Sequence, residues 1–284
     1  MSGDESPLSK YGVIPSRRSM SIHPTAIVED GAQLADDVRI GPYAVVGPRV
    51  TLGSGVTVGA HAVVSGPSSI GADCTIFPHA VVGGDPQDKK FVGEDAFLVV
   101  GQRNVFREFT TVNRGTGGGS TTIGNDNLFM AYSHVAHDAT IGNHCVFANA
   151  ANIAGHVVIE DNAVLGGLVG VHQYCRIGRC AMVGGGGKAA QDVPPFTIAQ
   201  GDRARLFGLN IVGLRRNGMS LEVVSALKGA YRELFHQGLP LRIALEQVRE
   251  VYAEIPEVTE LLEFIESSTR GICRSAGTGT SQGT

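Results

Sequence analysis

The sequence predicts an all-β solenoid, a parallel β-helix of hexapeptide repeats, followed by a small helical domain. Three observations predict it. Starting from Ile22, an aliphatic residue falls at every sixth position through Val28, Leu34, Ile40, Val46, Leu52, Val58, Val64, Ile70 and Ile76 to Val82. A second unbroken series runs from Ile123 through Phe129, Val135, Ile141, Phe147, Ile153, Ile159, Leu165, Val171 and Ile177 to Val183, and small residues such as Ala44, Ala62, Cys145 and Ala163 sit four places after its members and theirs. A strict hexad of this kind stacks each short strand on its copy in the neighbouring coils. From Ser220 onward the apolar period becomes helical instead.

Bulk properties agree with a narrow prism. Among 284 residues there are 39 glycines and no tryptophan, as expected where tight corners recur and the core admits only small and branched side chains. The glycines keep no three-residue period, which excludes collagen. A net charge of −4 gives no reason to expect nucleic acid or an anionic membrane as partner. Arg17 and Arg18 have no apolar run behind them, so no signal peptide or anchor is expected, and a cytoplasmic location is the default. The five cysteines have no zinc-framework spacing and read as small buried hydrophobes.

In chain order, residues 1–20 read as a flexible leader and 21–203 as the prism. The hexads lapse in two polar, turn-rich insertions, 83–99 and 113–122, the second containing Asn113-Arg114-Gly115-Thr116-Gly117-Gly118-Gly119-Ser120. Val193-Pro194-Pro195 is expected to end regular pairing. Residues 204–274 form the helical domain: a helix from Ser220 halted by Gly238, a second through Ile243 and Val251, and a third opened by Pro256-Glu257, together covering the open end of the solenoid. The tail, 275–284, is small, polar and expected to be disordered.

Chemistry concentrates in Ser133-His134-Val135-Ala136-His137-Asp138. If three hexads make a coil and the insertions are looped out, the hexads at Val82, Val112, Val135, Ile153 and Val171 stack on one side. That side carries His137, His156 and His172, with His134 at the corner before it, climbing at about 4.8 Å per coil beside both insertions. A ladder of titratable groups flanked by loops marks a candidate cleft. Asp138 can orient an imidazole either as the neighbour of His137 or from one coil below His156. His23, His61, His79, His144 and His236 are read as bystanders.

Several segments outside the repeat carry a resemblance. Gln87-Asp88-Lys89-Lys90-Phe91, the histidine segment, Leu165-Gly166-Gly167, Val171-His172-Gln173-Tyr174, Ala190-Gln191-Asp192-Val193-Pro194-Pro195, Ile198-Ala199-Gln200-Gly201 and Ser267-Ser268-Thr269-Arg270-Gly271 resemble the UDP-N-acetylglucosamine acyltransferases that open lipid A biosynthesis for the Gram-negative outer membrane. The resemblance covers about residues 21–274. It implies a left-handed β-helix, although the general crossover rule favours the opposite hand. It also implies a homotrimer with sites between subunits and transfer of a 3-hydroxyacyl chain from acyl carrier protein to the 3-hydroxyl of the UDP-sugar. No bound cofactor is implied, the donor being carried on the phosphopantetheine of the carrier protein.

By that resemblance His137 is the general base, Asp138 its orienting partner and the Gly155 amide the oxyanion donor. Asp88, His134, His156 and Gln173 hold the sugar nucleotide. Lys90, His172, Asn210 and Arg216 bind the remaining phosphate, uridine or acyl-donor groups, and Gly185 is the acyl-length ruler. A sugar hydroxyl is too weak an acid to attack a thioester unaided, which is the task of a neutral imidazole. The sequence departs from the family in its longer leader, in Val212 where an acidic residue is common, and in one basic residue fewer at Leu214-Arg215-Arg216-Asn217-Gly218. Three rivals remain: a sister acyltransferase acting on a 3-amino UDP-sugar, a non-catalytic scaffold, and a zinc site like that of γ-class carbonic anhydrases, against which the His134/His137 spacing argues.

Overall fold

A computed structural model describes residues 19–276. The expected flexible leader and disordered tail therefore fall largely outside the described residues. Two- to five-residue strands wind into three sheets of eleven, nine and eight strands, parallel except for the last strand of the first, and these form the faces of a triangular prism. The repeat dictates this directly, because each hexad supplies one buried aliphatic residue on the strand and one small residue behind the corner. Val28, Val46, Val64 and Val82 pair in register on the second face, eighteen residues apart.

The insertions leave this register intact. Val82 pairs with Val112 and Val112 with Val135, so the loops are extruded while the sheets continue through them. The hexads at Val135, Ile153 and Val171 stack on the same face, as the register argument requires. Inside the prism Phe106, Phe129 and Phe147 stack with ring centroids 4.9 and 4.6 Å apart.

Two expectations need correction. Pro194 and Pro195 interrupt pairing without ending it: Thr197–Gln200 still pairs parallel with Met182–Val183 on the first face. Arg205–Leu209, expected with the helices, then returns antiparallel along it, a hairpin that hexad counting cannot register. Ser275 and Ala276, expected within the disordered tail, lie against this strand through the Ala276 amide and Leu206 carbonyl.

The helical domain comprises α1 (Ile211–Arg216), α2 (Leu221–His236), α3 (Leu241–Tyr252) and α4 (Pro256–Glu266). Ser220 caps α2 by accepting the Val223 amide, and Pro256 opens α4 where its missing N–H costs nothing. Tyr231 and Phe235 of α2 pack onto the prism core. Arg179, at a prism corner, makes a two-pronged ion pair with Glu260 of α4, and the Arg176 guanidinium lies 4.1 Å from the centre of the Phe264 ring. Among the described residues no helix is long and apolar enough to cross a membrane.

Candidate active site

The site occupies the second face and the corner that follows it. On the face, His134, Asn152, Gly170 and Lys188 hold the same outward position in successive coils. His134 therefore lies on a strand and not at the corner expected for it. At the corner, Asp138, His156 and Tyr174 recur in turn, each in the left-handed region with φ near 60°. That conformation costs a residue with a Cβ about 1 kcal/mol, and regular stacking opposes the cost. The rings of His156 and Tyr174 lie parallel at 4.6 Å, and His137 meets His156 edge-on at 5.2 Å.

His137 is buried, with Nδ1 2.8 Å from Asp138 Oδ2. A carboxylate can only accept, so Nδ1 carries the proton and, in the neutral ring, Nε2 has the lone pair. Asp138 Oδ2 also accepts the Thr116 hydroxyl at 2.7 Å, and Oδ1 accepts the Thr116 amide at 3.0 Å. Burial pushes the Asp138 carboxyl up. The hydrogen bonds from His137 and from both Thr116 donors, with the nearby His156, more than reverse this and hold it below the usual carboxylate range. His156 Nε2 stands 3.7 Å from the same oxygen, too far for a hydrogen bond, so of the two histidines foreseen for it Asp138 bonds His137. Burial, then the neighbouring His137, lowers the pKa of His134, which keeps that ring neutral; its Nδ1 lies 2.7 Å from Thr111 Oγ1.

His134 and His137 open onto a groove of about 500 Å³ lined also by Gly155, His172, Gln173 and Lys188, among others, whereas Asp138 and His156 are not part of its lining. A second cavity of about 340 Å³ shares His172 with it and adds Arg203 and Arg270. Neither lining contains an aspartate or glutamate, although the chain as a whole is acidic. The Gly155 amide takes no backbone acceptor among the described residues.

Other expected residues lie outside the groove lining. Asp88 accepts the Lys90 amide at 2.9 Å in a turn of the first insertion, while its neighbour Gln87 lines the groove. Lys90 is exposed. Asn210 is buried and caps α1, taking the Gly213 amide and donating to the Cys180 carbonyl. Arg216 is exposed in the last turn of α1, and Gly185 is exposed at the preceding corner of the prism. Sequence reading missed Thr116, Asn152 and Lys188. Counting eighteen residues on from His134 would have found the last two.

Donor atoms of His137, Asp138 and His156 lie within 4.8 Å of one another, a possible metal cluster by residue type. The 2.8 Å Nδ1 to Oδ2 separation is hydrogen-bond spacing. Two ligands of one tetrahedral zinc, each at about 2.0–2.2 Å, would stand about 3.3 Å apart. The Asp138 oxygens are moreover already taken by Thr116.

Residues 192–273 match the model of the UDP-N-acetylglucosamine O-acyltransferase second domain, and residues 31–66 and 120–155 match the bacterial transferase hexapeptide. The acyl-[acyl-carrier-protein]–UDP-N-acetylglucosamine O-acyltransferase of Stenotrophomonas maltophilia strain R551-3 is 51% identical over 256 residues, covering 89% of this chain and 97% of that one. This chain belongs to the acyl-[acyl-carrier-protein]–UDP-N-acetylglucosamine O-acyltransferase family. Another member, from Anaeromyxobacter dehalogenans strain 2CP-1, is 53% identical over 257 residues, covering 90% of this chain and all of that one. Solved acyltransferase structures from Acinetobacter baumannii (41% identity, TM-score 0.85, 89% and 99% of the two chains) and Francisella novicida (34%, 0.86, 90% and 94%) share the fold. The prism is thus a left-handed parallel β-helix with a small helical domain, the hand that the family implied and the general crossover rule did not.

Proposed function

We propose that this acyltransferase moves a 3-hydroxyacyl chain from acyl carrier protein to the 3-hydroxyl of UDP-N-acetylglucosamine, the first step of lipid A biosynthesis, by direct attack without an acyl-enzyme. The supporting observation is the tautomer of His137: with Nδ1–H committed to Asp138, Nε2 is the nitrogen left to take a proton. In this reading the sugar hydroxyl loses its proton to Nε2 as its oxygen attacks the thioester carbonyl. The tetrahedral oxyanion meets the Gly155 amide, and collapse expels the pantetheine thiolate, which leaves with a proton from the imidazolium. A groove without carboxylates suits two substrates that both bring phosphate.

His134, His156 and Gln173, with Asp88 from the first insertion, are assigned to the sugar nucleotide. Lys90, His172, Asn210 and Arg216 are assigned to phosphate, uridine and donor groups, and Gly185 to the end of the acyl chain. Asn210, Arg216 and Gly185 stand away from this chain's own groove, which favours a homotrimer whose sites are completed by the neighbouring subunit. The test is mass spectrometry of product made from mixed acyl carrier proteins and two acceptors, UDP-N-acetylglucosamine and its 3-amino analogue. O-acylated sugar is the expected product. Exclusive N-acylation, or no transfer, would overturn the reading.

A further inference from the structure

The second insertion is polar and glycine-rich, yet the one side chain in its glycine run is aimed at Asp138. In Gly115-Thr116-Gly117-Gly118-Gly119 only Thr116 carries a Cβ, and the backbone around it favours glycine. Gly117 and Gly118 are left-handed, at φ 55° and 80°. A Cβ on Gly115 would stand 2.6 Å from the Ser120 amide, and one on Gly119 would stand 3.0 Å from Asp138 Oδ1. The glycines thus let the loop descend onto the carboxylate, and Thr116 makes the contact.

We propose that Thr116 is a positioning residue that locks the Asp138 carboxylate in the orientation that aligns His137, which makes the second insertion a brace for the catalytic pair. This rests on the acyltransferase reading given above. Three donors fix the carboxylate from one side: the Thr116 hydroxyl and the His137 ring on Oδ2, and the Thr116 amide on Oδ1. The Asp138 amide is itself tied down, donating to Thr121 Oγ1 at 2.8 Å.

The brace has a foundation of its own. The Gly117 amide donates to Glu94 Oε1 at 3.0 Å, and the Gly115 amide and Phe97 carbonyl, with the Phe97 amide and Gly119 carbonyl, stitch the second insertion to the end of the first. Arg114 reaches Asp85 and the Gly66 carbonyl from the same loop root. Thr116 therefore approaches Asp138 from a scaffold that does not depend on Asp138. A hydroxyl so mounted limits the carboxylate's motion, where one on a mobile loop would follow it.

Thr116→Val removes the hydroxyl at nearly constant shape, and Thr116→Ser keeps it. Loss of one hydrogen bond to a charged group should lower kcat about ten- to a hundredfold in Thr116→Val, with the KM for UDP-N-acetylglucosamine within about twofold. Thr116→Ser should restore kcat to within about threefold. In Asp138→Asn the valine substitution should cost nothing further, since the two residues act as one unit. A normal kcat in Thr116→Val, a change confined to KM, an equal loss in Thr116→Ser, or full additivity with Asp138→Asn would each overturn the proposal. A readout that needs no turnover is the proton NMR signal of His137 Nδ1–H. It should be present in wild type and Thr116→Ser and broadened away in Thr116→Val. Its persistence in Thr116→Val would count against the brace even if the wild-type protein acylated some other acceptor.

Discussion

Gly155 is a glycine because the imidazole of His137 occupies the volume a side chain would need. A Cβ there would come within 2.6 Å of Cε1 and 2.7 Å of Nε2, and an aromatic ring cannot yield as the tip of a flexible chain can. Gly155→Ala should therefore displace the ring and lower kcat by about 10²-fold per ångström of misplacement, with a lowered melting temperature, as kinetics and calorimetry would read. His137→Ala should lower kcat by about 10² to 10⁴ in a correctly folded protein. Near-normal turnover in that variant would remove His137 from the mechanism. Gly185 is the opposite case. Its backbone is ordinary, and a Cβ there meets only the Gly167 backbone, at 3.4 Å or more; the corner's left-handed position is Gly186, with φ 70°. Gly185→Met should thus fold normally and shift donor preference toward shorter chains, each excluded methylene being worth about 0.8 kcal/mol, as measured on donors of graded length. At this scale the sequence marked His137 and Asp138 because their types are chemically unusual in a repeat. Thr116 escaped notice because a threonine among glycines announces a turn, and its target lies twenty-two residues away.

Between residue and molecule stand the loops and helices. The two insertions hold together through Glu94 and hold the active corner through Asp138, both carboxylates accepting backbone amides. The Val92 and Gly117 amides depress the Glu94 carboxyl, and Asp138 is depressed against the pull of burial. A carboxyl with a lowered folded pKa contributes stability that is complete above its ordinary value near 4 and is lost as pH falls through the folded value. Hydrogen exchange, corrected for intrinsic rates, should show the Thr116 and Gly117 amides protected at pH 6 and progressively released below about pH 4. Protection that is independent of pH would mean that the loop is held by other contacts. The three longer helices were legible because an apolar period over eleven or more residues has few rival readings. The helix α1, six residues long, could not announce itself by periodicity, and it forms where Asn210 caps it and Leu214 is buried. Arg205–Leu209 stayed hidden because it follows no hexad and Pro194-Pro195 was expected to end regular pairing before its partner strand.

Seen whole, the prism was legible because one rule repeats through it, and assembly was not, because what one chain presents to another obeys no period. One outer corner carries Tyr43, His61, His79, Phe109 and Tyr132 in an exposed stack with centroids 4.9 to 5.1 Å apart, two of them among the histidines read as bystanders. Under the proposed trimer, specific activity should fall on dilution as light scattering records dissociation. A monomer with the trimer's rate would locate the whole site in one chain. The carboxylate-free groove carries a second expectation at this scale: KM for both substrates should rise with salt as the Debye length shrinks below about 10 Å.

The two ends of the solenoid are unequal. The carboxyl-terminal end is plugged by α2 and pinned by Arg179 to α4, while at the amino-terminal end Ile22 and Ile27 stay 40% and 57% exposed on strands of two residues. Each coil is bonded only to its neighbours, so the described residues behave like a zip with one closed stop. Pulled or frayed by heat, it would open from the amino-terminal teeth, and the histidine pair, first met in the sixth coil, would feel the tear only after five others had parted.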